Sequence, residues 1–274
     1  MVRAENAGPF TLDGTRTFIV GRDRVVIVDP GPDDPRHLER VAGEARGAES
    51  GWIILTHGHP DHAAGTRTLA RMTGFPVGAP LGGVDRRLEG GDEVPADGGA
   101  LIAVATPGHA RHHLAFHCPR DGGETGGDLF VGDLLLGVGR TTWVGEYPGC
   151  VADYLASLDR VERLVPDRIL PSHGPVLDRP LEVVAAFRDH RRARIEAVEG
   201  ALADLGHRAT LGKDEEVWPL VETLVKRVYG DRLEGRPLVG ARWSVRAILE
   251  YLGVAPFPPE GAPSEGGGRL APGS

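Results

Sequence analysis

The segment at residues 56–62, THGHPDH, constrains the fold of this chain more than any other part of its sequence. It directly follows an apolar run at 52–55 that has the length and composition of a buried β-strand. Because Pro60 suits the first turn of a helix, Asp61 and His62 are expected to project from a helix start and the two earlier histidines from a loop. Zinc and iron accept imidazole and carboxylate ligands, so the segment predicts a metal site between a strand and a helix.

Three further polar side chains stand where an apolar run has just ended. They are His109 after 101–105, Asp133 after 129–131, and His173 after 169–170. Strand ends of a layered α/β fold converge on one rim, so these side chains are predicted to meet the histidine-rich segment and hold two adjacent metals. The candidate metal ligands are therefore His57, His59, Asp61, His62, His109, Asp133 and His173.

The pattern of apolar residues predicts an α/β fold followed by a helical region. Strands are predicted at 17–19, 25–28, 52–55, 101–105, 114–117, 129–131 and 169–170, and helices at 34–45, 61–72 and 152–164. Three more helices are predicted at 181–205, 215–229 and 241–252. The sequence thus predicts a domain at 1–180 that carries the site, a helical module at 181–255, and a flexible tail at 256–274 that is rich in proline, glycine and serine.

Composition excludes several classes of protein. Cys118 and Cys150 are the only cysteines, so neither a disulfide framework nor a thiolate zinc finger is expected. The net charge of −8 argues against broad attraction to nucleic acid or anionic membranes. Without a long apolar stretch or a signal-like N-terminus, the chain is expected to be cytoplasmic and not bound to membrane. The sequence does not define an oligomeric state.

The order and spacing of the seven candidate ligands resemble the metallo-beta-lactamase superfamily. This resemblance implies a four-layer αββα sandwich with two metal ions, zinc first and iron or manganese as alternatives. It implies that His57, His59 and His109 hold one metal, that Asp61, His62 and His173 hold the other, and that Asp133 bridges both.

Within that superfamily the chain is most similar to the endoribonuclease-like beta-lactamase-like protein 2 subfamily. The shared features are Thr-Pro-Gly-His at 106–109, a further histidine at His113, and a C-terminal module that is helical or winged-helix-like. The residues 110–112 depart from the usual Thr-led segment. True β-lactamases usually lack the second histidine of the Asp-His pair, so the presence of His62 argues against that activity.

The predicted function is a dinuclear metal-dependent hydrolase that uses a metal-bound hydroxide. Asp61 is expected to orient the hydroxide or receive its proton, and His113 to donate a proton to the leaving group or substrate. Single-stranded RNA is one candidate substrate. The alternative is a small-molecule thioester, as in glyoxalase II-like enzymes or acyl-CoA and acyl-carrier thioesterases. A non-enzymatic metal-binding protein is disfavoured, because it would leave a complete dinuclear site unused.

Several other polar residues have two interpretations. Asp29, at a strand end, either orients a metal-binding histidine or initiates a turn. Trp143 either lines the substrate entry or packs in the interior. The basic stretch of Arg188, Arg191, Arg192 and Arg194 is a solvated helix face by default. Otherwise it contacts phosphates of single-stranded RNA or of an acidic cofactor such as coenzyme A. Surface or solvated positions are expected for His37, His112, His117, His190 and His207.

Overall fold

The computed structural model describes residues 1–120, 123–207 and 210–258, so the predicted tail lies outside the described residues from 259 onward. Two sheets form the centre of the molecule. The first contains, in spatial order, β1 (Val2–Arg3), β2 (Arg16–Val20), β3 (Arg24–Val28), β4 (Ser50–Ile54), β5 (Val77–Ala79) and β6 (Arg86–Arg87). The second contains β11 (Arg168–Pro171), β10 (Asp128–Gly132), β9 (Leu114–Cys118), β8 (Gly99–Ala105) and β7 (Glu93–Ala96). Strands β3 to β6 are mutually parallel, as are β10 and β11, and the remaining pairs are antiparallel.

The two sheets pack face to face, and helices cover the outer face of the first sheet. Val26 and Val28 of β3 pack between the sheets with Phe116 and Phe130 of the second sheet. The alternate residues of β3, such as Ile27, pack outward against α1 (Pro35–Glu44) and α3 (Thr66–Thr73). Burial on both faces explains the continuous apolar run of this strand.

The outer face of the second sheet is covered by α4 (Cys150–Leu164) and by three C-terminal helices. These are α5 (Pro180–Asp204), α6 (Asp214–Tyr229) and α7 (Gly235–Tyr251). One apolar core joins them all, with Val131 of the sheet, Val151 of α4 and Ile248 of α7 among its members. The four layers confirm the predicted αββα sandwich. The C-terminal region has no strand among its described residues, and none of the described helices combines the length and apolar character needed to cross a membrane.

Some local predictions were wrong. The helix predicted at 61–72 is two helices, α2 (Pro60–Ala63) and α3, because the N–H of Gly65 between them donates to the carbonyl of Gly31. Helix α7 begins several residues before the predicted start. Strands β1, β5, β6 and β7 were not predicted, because none of them contains a run of consecutive large apolar residues.

Candidate metal centre

The loops that follow several strands meet at one edge of the sandwich. The N–H of Leu114, at the start of β9, donates to the carbonyl of Thr56 in the loop after β4. The N–H of Ser172, after β11, donates to the carbonyl of Gly132 at the end of β10. These main-chain contacts join loops of both sheets, so side chains that are distant in sequence face one space.

The structure brings all seven candidate ligands together in two adjacent groups. Within each group the potential ligand atoms lie within 4.8 Å of one another. The first group is His57, His59 and His109, and the second is Asp61, His62, Asp133 and His173. This grouping agrees with the division that the family resemblance implies, with Asp133 in the second group.

Four atoms of these groups are buried and make no hydrogen bond to any described residue. They are Nε2 of His57, Nε2 of His62, Nε2 of His173 and Oδ1 of Asp133. Buried polar atoms are nearly always hydrogen-bonded. These four instead face one space, and the polar groups near Nε2 of His62 and His173 are other candidate ligands at 3.1–3.5 Å. A cation accepts lone pairs from both imidazole and carboxylate, and this set of donors therefore fits a bound metal.

Asp133 lies between the two groups. Its Oδ1 is 3.5 Å from Nε2 of His62 and 3.3 Å from Nε2 of His173, while its Oδ2 is 3.8 Å from Nε2 of His109. Asp61 faces the second group alone, with Oδ2 3.1 Å from Nε2 of His173. Asp133 can thus offer one oxygen to each metal, whereas Asp61 belongs to one of them.

Asp29 supports the site from behind and is fully buried. Its Oδ2 accepts from Nδ1 of His62 at 2.8 Å, from the hydroxyl of Thr56 at 2.7 Å and from the hydroxyl of Ser172 at 3.1 Å. Its Oδ1 accepts from the N–H of Thr56 at 2.8 Å. The structure thus favours the orienting interpretation of Asp29, because this contact leaves Nε2 of His62 to face the metal space.

The other buried histidines are oriented in a similar way. Nδ1 of His57 lies 2.9 Å from the hydroxyl of Thr56, and Nδ1 of His109 donates to the carbonyl of Trp143 at 3.0 Å. Nδ1 of His173 faces the carbonyl of Gly14 at 3.5 Å. In each ring the nitrogen away from the partner is the one that faces the metal space.

Buried histidines of the two groups differ in the direction of their pKa shifts. Burial and the neighbouring imidazoles hold the pKa of His57 well below its ordinary value, and burial lowers the pKa of His109 to about 4. Burial also opposes charge on His62 and His173, but nearby carboxylates outweigh it. They raise the pKa of His62 well above its ordinary value and, through Asp133, that of His173 to about 9. His57 and His109 are therefore neutral, and a cation must displace protons from His62 and His173.

Gly132 positions Asp133 and has a φ of 51°. A Cβ at this residue would lie 2.7 Å from both Nε2 of His113 and Oγ1 of Thr56. We expect Gly132→Ala to lower the free energy of unfolding by about 1–3 kcal/mol, because the methyl group must displace packed atoms. Denaturant unfolding measures this. Gly139→Ala is the matched control, since Gly139 also has a positive φ but open space around its Cβ position. If both variants lost the same free energy of unfolding, backbone strain alone would explain the effect.

Comparison with known proteins places the chain in a family. Residues 12–173 match the metallo-beta-lactamase superfamily. The chain belongs to this superfamily. It is a hydrolase with a His/Asp cluster able to bind metal, and the predicted resemblance is confirmed.

Two relatives and one solved structure illustrate the similarity to other superfamily members. The "Beta-lactamase-like protein 2 homolog" of Caenorhabditis elegans is 31% identical over 207 residues, which cover 70% of this chain and 67% of the relative. The "Atrochrysone carboxyl ACP thioesterase" of Passalora fulva is 27% identical over 243 residues, covering 85% and 68%. A beta-lactamase domain protein from Burkholderia ambifaria shares the fold, with a TM-score of 0.73, 24% identity, and coverage of 89% of this chain and 83% of that one.

His113 lies outside both groups of this metallo-beta-lactamase site. It is 1% exposed, its Nδ1 lies 2.8 Å from the hydroxyl of Thr106, and its Nε2 accepts from the N–H of Asp133 at 3.4 Å. A proton donor to substrate needs an open face, which this position does not provide. The structure therefore favours a positioning role for His113, through the main chain of Asp133, over the donor role predicted from the sequence.

Two side chains beside the superfamily site carry contacts that the sequence did not predict. The ring of Trp143 stacks on that of His59 with centroids 6.3 Å apart. Oε2 of Glu146 lies 3.5 Å from Nε2 of the same histidine. No local motif marks Glu146, whose contact depends on the course of the loop between β10 and α4. Trp143 contacts the site twice: its ring stacks on His59, and its carbonyl accepts from Nδ1 of His109.

Several surface predictions were wrong. His37 is 3% exposed and its Nε2 lies 3.0 Å from both the hydroxyl of Thr17 and the carbonyl of Pro30. His117 is 2% exposed and contacts the carbonyl of Gly126. Each ring is buried with one nitrogen in contact with polar groups of the fold, which a surface prediction did not anticipate. His112 is exposed, as expected.

The basic stretch of α5 is not a solvated face. Arg188 pairs with two carboxylates of α4, and Arg191, only 4% exposed, donates to a main-chain carbonyl of the loop after β10. Arg194 lies over an aromatic ring of α6. Of these four arginines, only Arg192 is exposed. Most of this positive charge is therefore committed to contacts within the fold.

Proposed function

We propose that the chain is a two-metal hydrolase that cleaves small-molecule or carrier-bound thioesters. The observation that carries the two-metal assignment is the set of buried, unpartnered ligand atoms described above. Zinc is the first choice of metal, and iron and manganese are the alternatives, because imidazole and carboxylate suit all three.

The residues divide the chemical tasks between them. When bound, two cations supply the acidity that makes water nucleophilic near neutral pH and polarise the scissile oxygen. His57, His59 and His109 would hold one cation, and Asp61, His62 and His173 the other. Asp133, which lies between the two groups, would contribute to both sites. The side chain of Asp61 is 27% exposed, more than that of His173 or Asp133. Because it is the more accessible group, we propose that Asp61 accepts a proton from the attacking water.

The arginines argue against single-stranded RNA as the substrate. RNA cleavage needs positive charge along a channel, and the basic stretch of α5 was its main support in the sequence. Arg188 and Arg191 make ionic or main-chain contacts inside the fold instead. The net charge of −8 adds to the same argument.

Apolar side chains next to the ligands favour an acyl group. Leu81 lies against Gly58, between two ligand histidines, where a Cβ would be 2.6 Å from its Cδ1. Val138 is 49% exposed and follows Gly137, whose N–H donates to the carbonyl of His173. The relative from Passalora fulva, which is named an ACP thioesterase, matches over 85% of this chain. Exposed Arg111, stacked over a tyrosine ring, offers charge for an anionic carrier.

A parallel substrate panel tests the proposed specificity. Zinc-loaded protein is incubated with S-lactoylglutathione, an acyl-coenzyme A, a single-stranded RNA oligonucleotide and a cephalosporin, with His59→Ala as the control. We expect thioester turnover that His59→Ala lowers by about 100-fold or more, because one metal loses a ligand. Cleavage of RNA alone, lost in the same variant, would contradict the thioester proposal and support the nuclease.

The cellular location stays a prediction. Cys118 and Cys150 are both free thiols, which is consistent with the reducing, cytoplasmic compartment expected from the sequence.

A further inference from the structure

His59 is the most exposed of the candidate histidine ligands. Its side chain is 20% exposed, whereas those of His62 and His173 are 0% exposed. It occupies the N-cap position of α2, but its side chain makes no capping hydrogen bond. Burial and capping therefore constrain the ring of His59 less than those of His62 and His173, and a polar contact at one ring nitrogen would help to fix its tautomer.

The two ring nitrogens of His59 face different partners. Nδ1 lies 3.0 Å from Nε2 of His109, on the side of the first metal group. Nε2 lies 3.5 Å from Oε2 of Glu146. That carboxylate oxygen is buried and makes no hydrogen bond to any described residue. The N–H at Nε2 of His59 is a donor near enough to satisfy it.

We propose that Glu146 is a positioning residue for the first metal. Its carboxylate accepts the N–H at Nε2 of His59 and thereby directs the lone pair of Nδ1 at the cation. A carboxylate behind a metal-binding histidine fixes both the tautomer and the ring orientation. Glu146 would do for His59 what Asp29 does for His62. The inference rests on the metal centre proposed above.

The loop that carries Glu146 is itself held in place. The ring of Trp143 stacks on His59, and its carbonyl accepts from Nδ1 of His109. On the other side, Gly145 lies against the main chain of Trp243 in α7, where a Cβ would be 2.9 Å away. The C-terminal helices therefore support the segment that orients two ligands of the first metal.

Zinc titration of Glu146→Ala and Glu146→Gln tests the proposal without relying on turnover. We expect Glu146→Ala to bind zinc at the first group about 10–100-fold more weakly in competition with a chromophoric chelator. Glu146→Gln should lose less, because its amide oxygen still accepts a hydrogen bond but carries no charge. NMR of the histidine rings follows each group separately and reports whether Nε2 of His59 keeps its proton.

Asp153→Asn is the matched control, since Asp153 accepts from the hydroxyl of Tyr147, next to Glu146, without touching a ligand. It should leave zinc affinity unchanged. Two zinc ions bound as tightly by Glu146→Ala as by the unaltered chain would overturn the role of Glu146 and leave the metal centre standing. If the unaltered chain itself binds no zinc, iron or manganese, the metal centre and the inference both fail. If Glu146→Ala does not fold, Glu146→Gln carries the test, since the loss of charge alone should weaken zinc binding measurably, and an unchanged zinc affinity in Glu146→Gln would then overturn the role.

Discussion

Asp133→Ala is expected to lower kcat/KM by on the order of 1,000-fold, because two-metal catalysis contributes several kcal/mol and depends on both cations. Asp133 has one oxygen near each group, at 3.3 Å from Nε2 of His173 and 3.8 Å from Nε2 of His109. Its loss therefore weakens both sites at once. Elemental analysis after dialysis should show fewer than two metal ions per chain.

Asp128→Ala provides the control for Asp133→Ala. Asp128 begins the same strand, β10, and its ion pair with Arg168 is partly exposed. Removing a surface pair costs little stability, so activity and metal content should stay within a few-fold of the unaltered chain. An Asp133→Ala protein that retains two metals and near-normal turnover would show that the bridging assignment is wrong.

The sequence predicted the ligand candidates because their positions are local. His57, His109 and His173 each stand within four residues of the end of an apolar run, and strand ends of a layered fold share an edge. The structure places them together for that reason. The covering layers were also predictable, since the apolar faces of strands and helices are visible in their spacing.

Contacts between distant segments were not predictable in the same way. Glu146 meets His59 only through the course of a loop without regular structure. His37 is buried where Thr17 and a main-chain carbonyl, both outside its own helix, contact its Nε2. Arg191 is similar, since its acceptors lie in the loop after β10 and in α7. A single sequence shows which side chains are polar but not which partners the fold brings to them.

Asp29→Asn is expected to weaken metal binding at the second group by about 10–100-fold or more, although it changes few atoms. In the native protein, Oδ2 of Asp29 accepts from Nδ1 of His62, which leaves Nε2 unprotonated toward the metal. The main-chain N–H of Thr56 donates to Oδ1 and cannot turn away, so the amide oxygen of asparagine is expected to take that position. Its NH₂ then faces His62, which must accept at Nδ1 and carry its proton on Nε2. The lone pair that should bind the cation is then blocked. NMR of the His62 ring and a zinc titration measure the two effects.

The same substitution separates the orienting role of Asp29 from a turn-forming one. Asp29 has a φ of 51°, a conformation that asparagine adopts at least as readily as aspartate. If the residue served only its turn, Asp29→Asn would fold and bind zinc like the unaltered chain. Asp34→Asn is the control, because Asp34 caps α1 by accepting from the N–H of Arg36, and asparagine caps a helix about as well. A loss of metal affinity confined to Asp29→Asn, with both proteins folded, therefore identifies the charge of Asp29 as the group that sets the tautomer of His62.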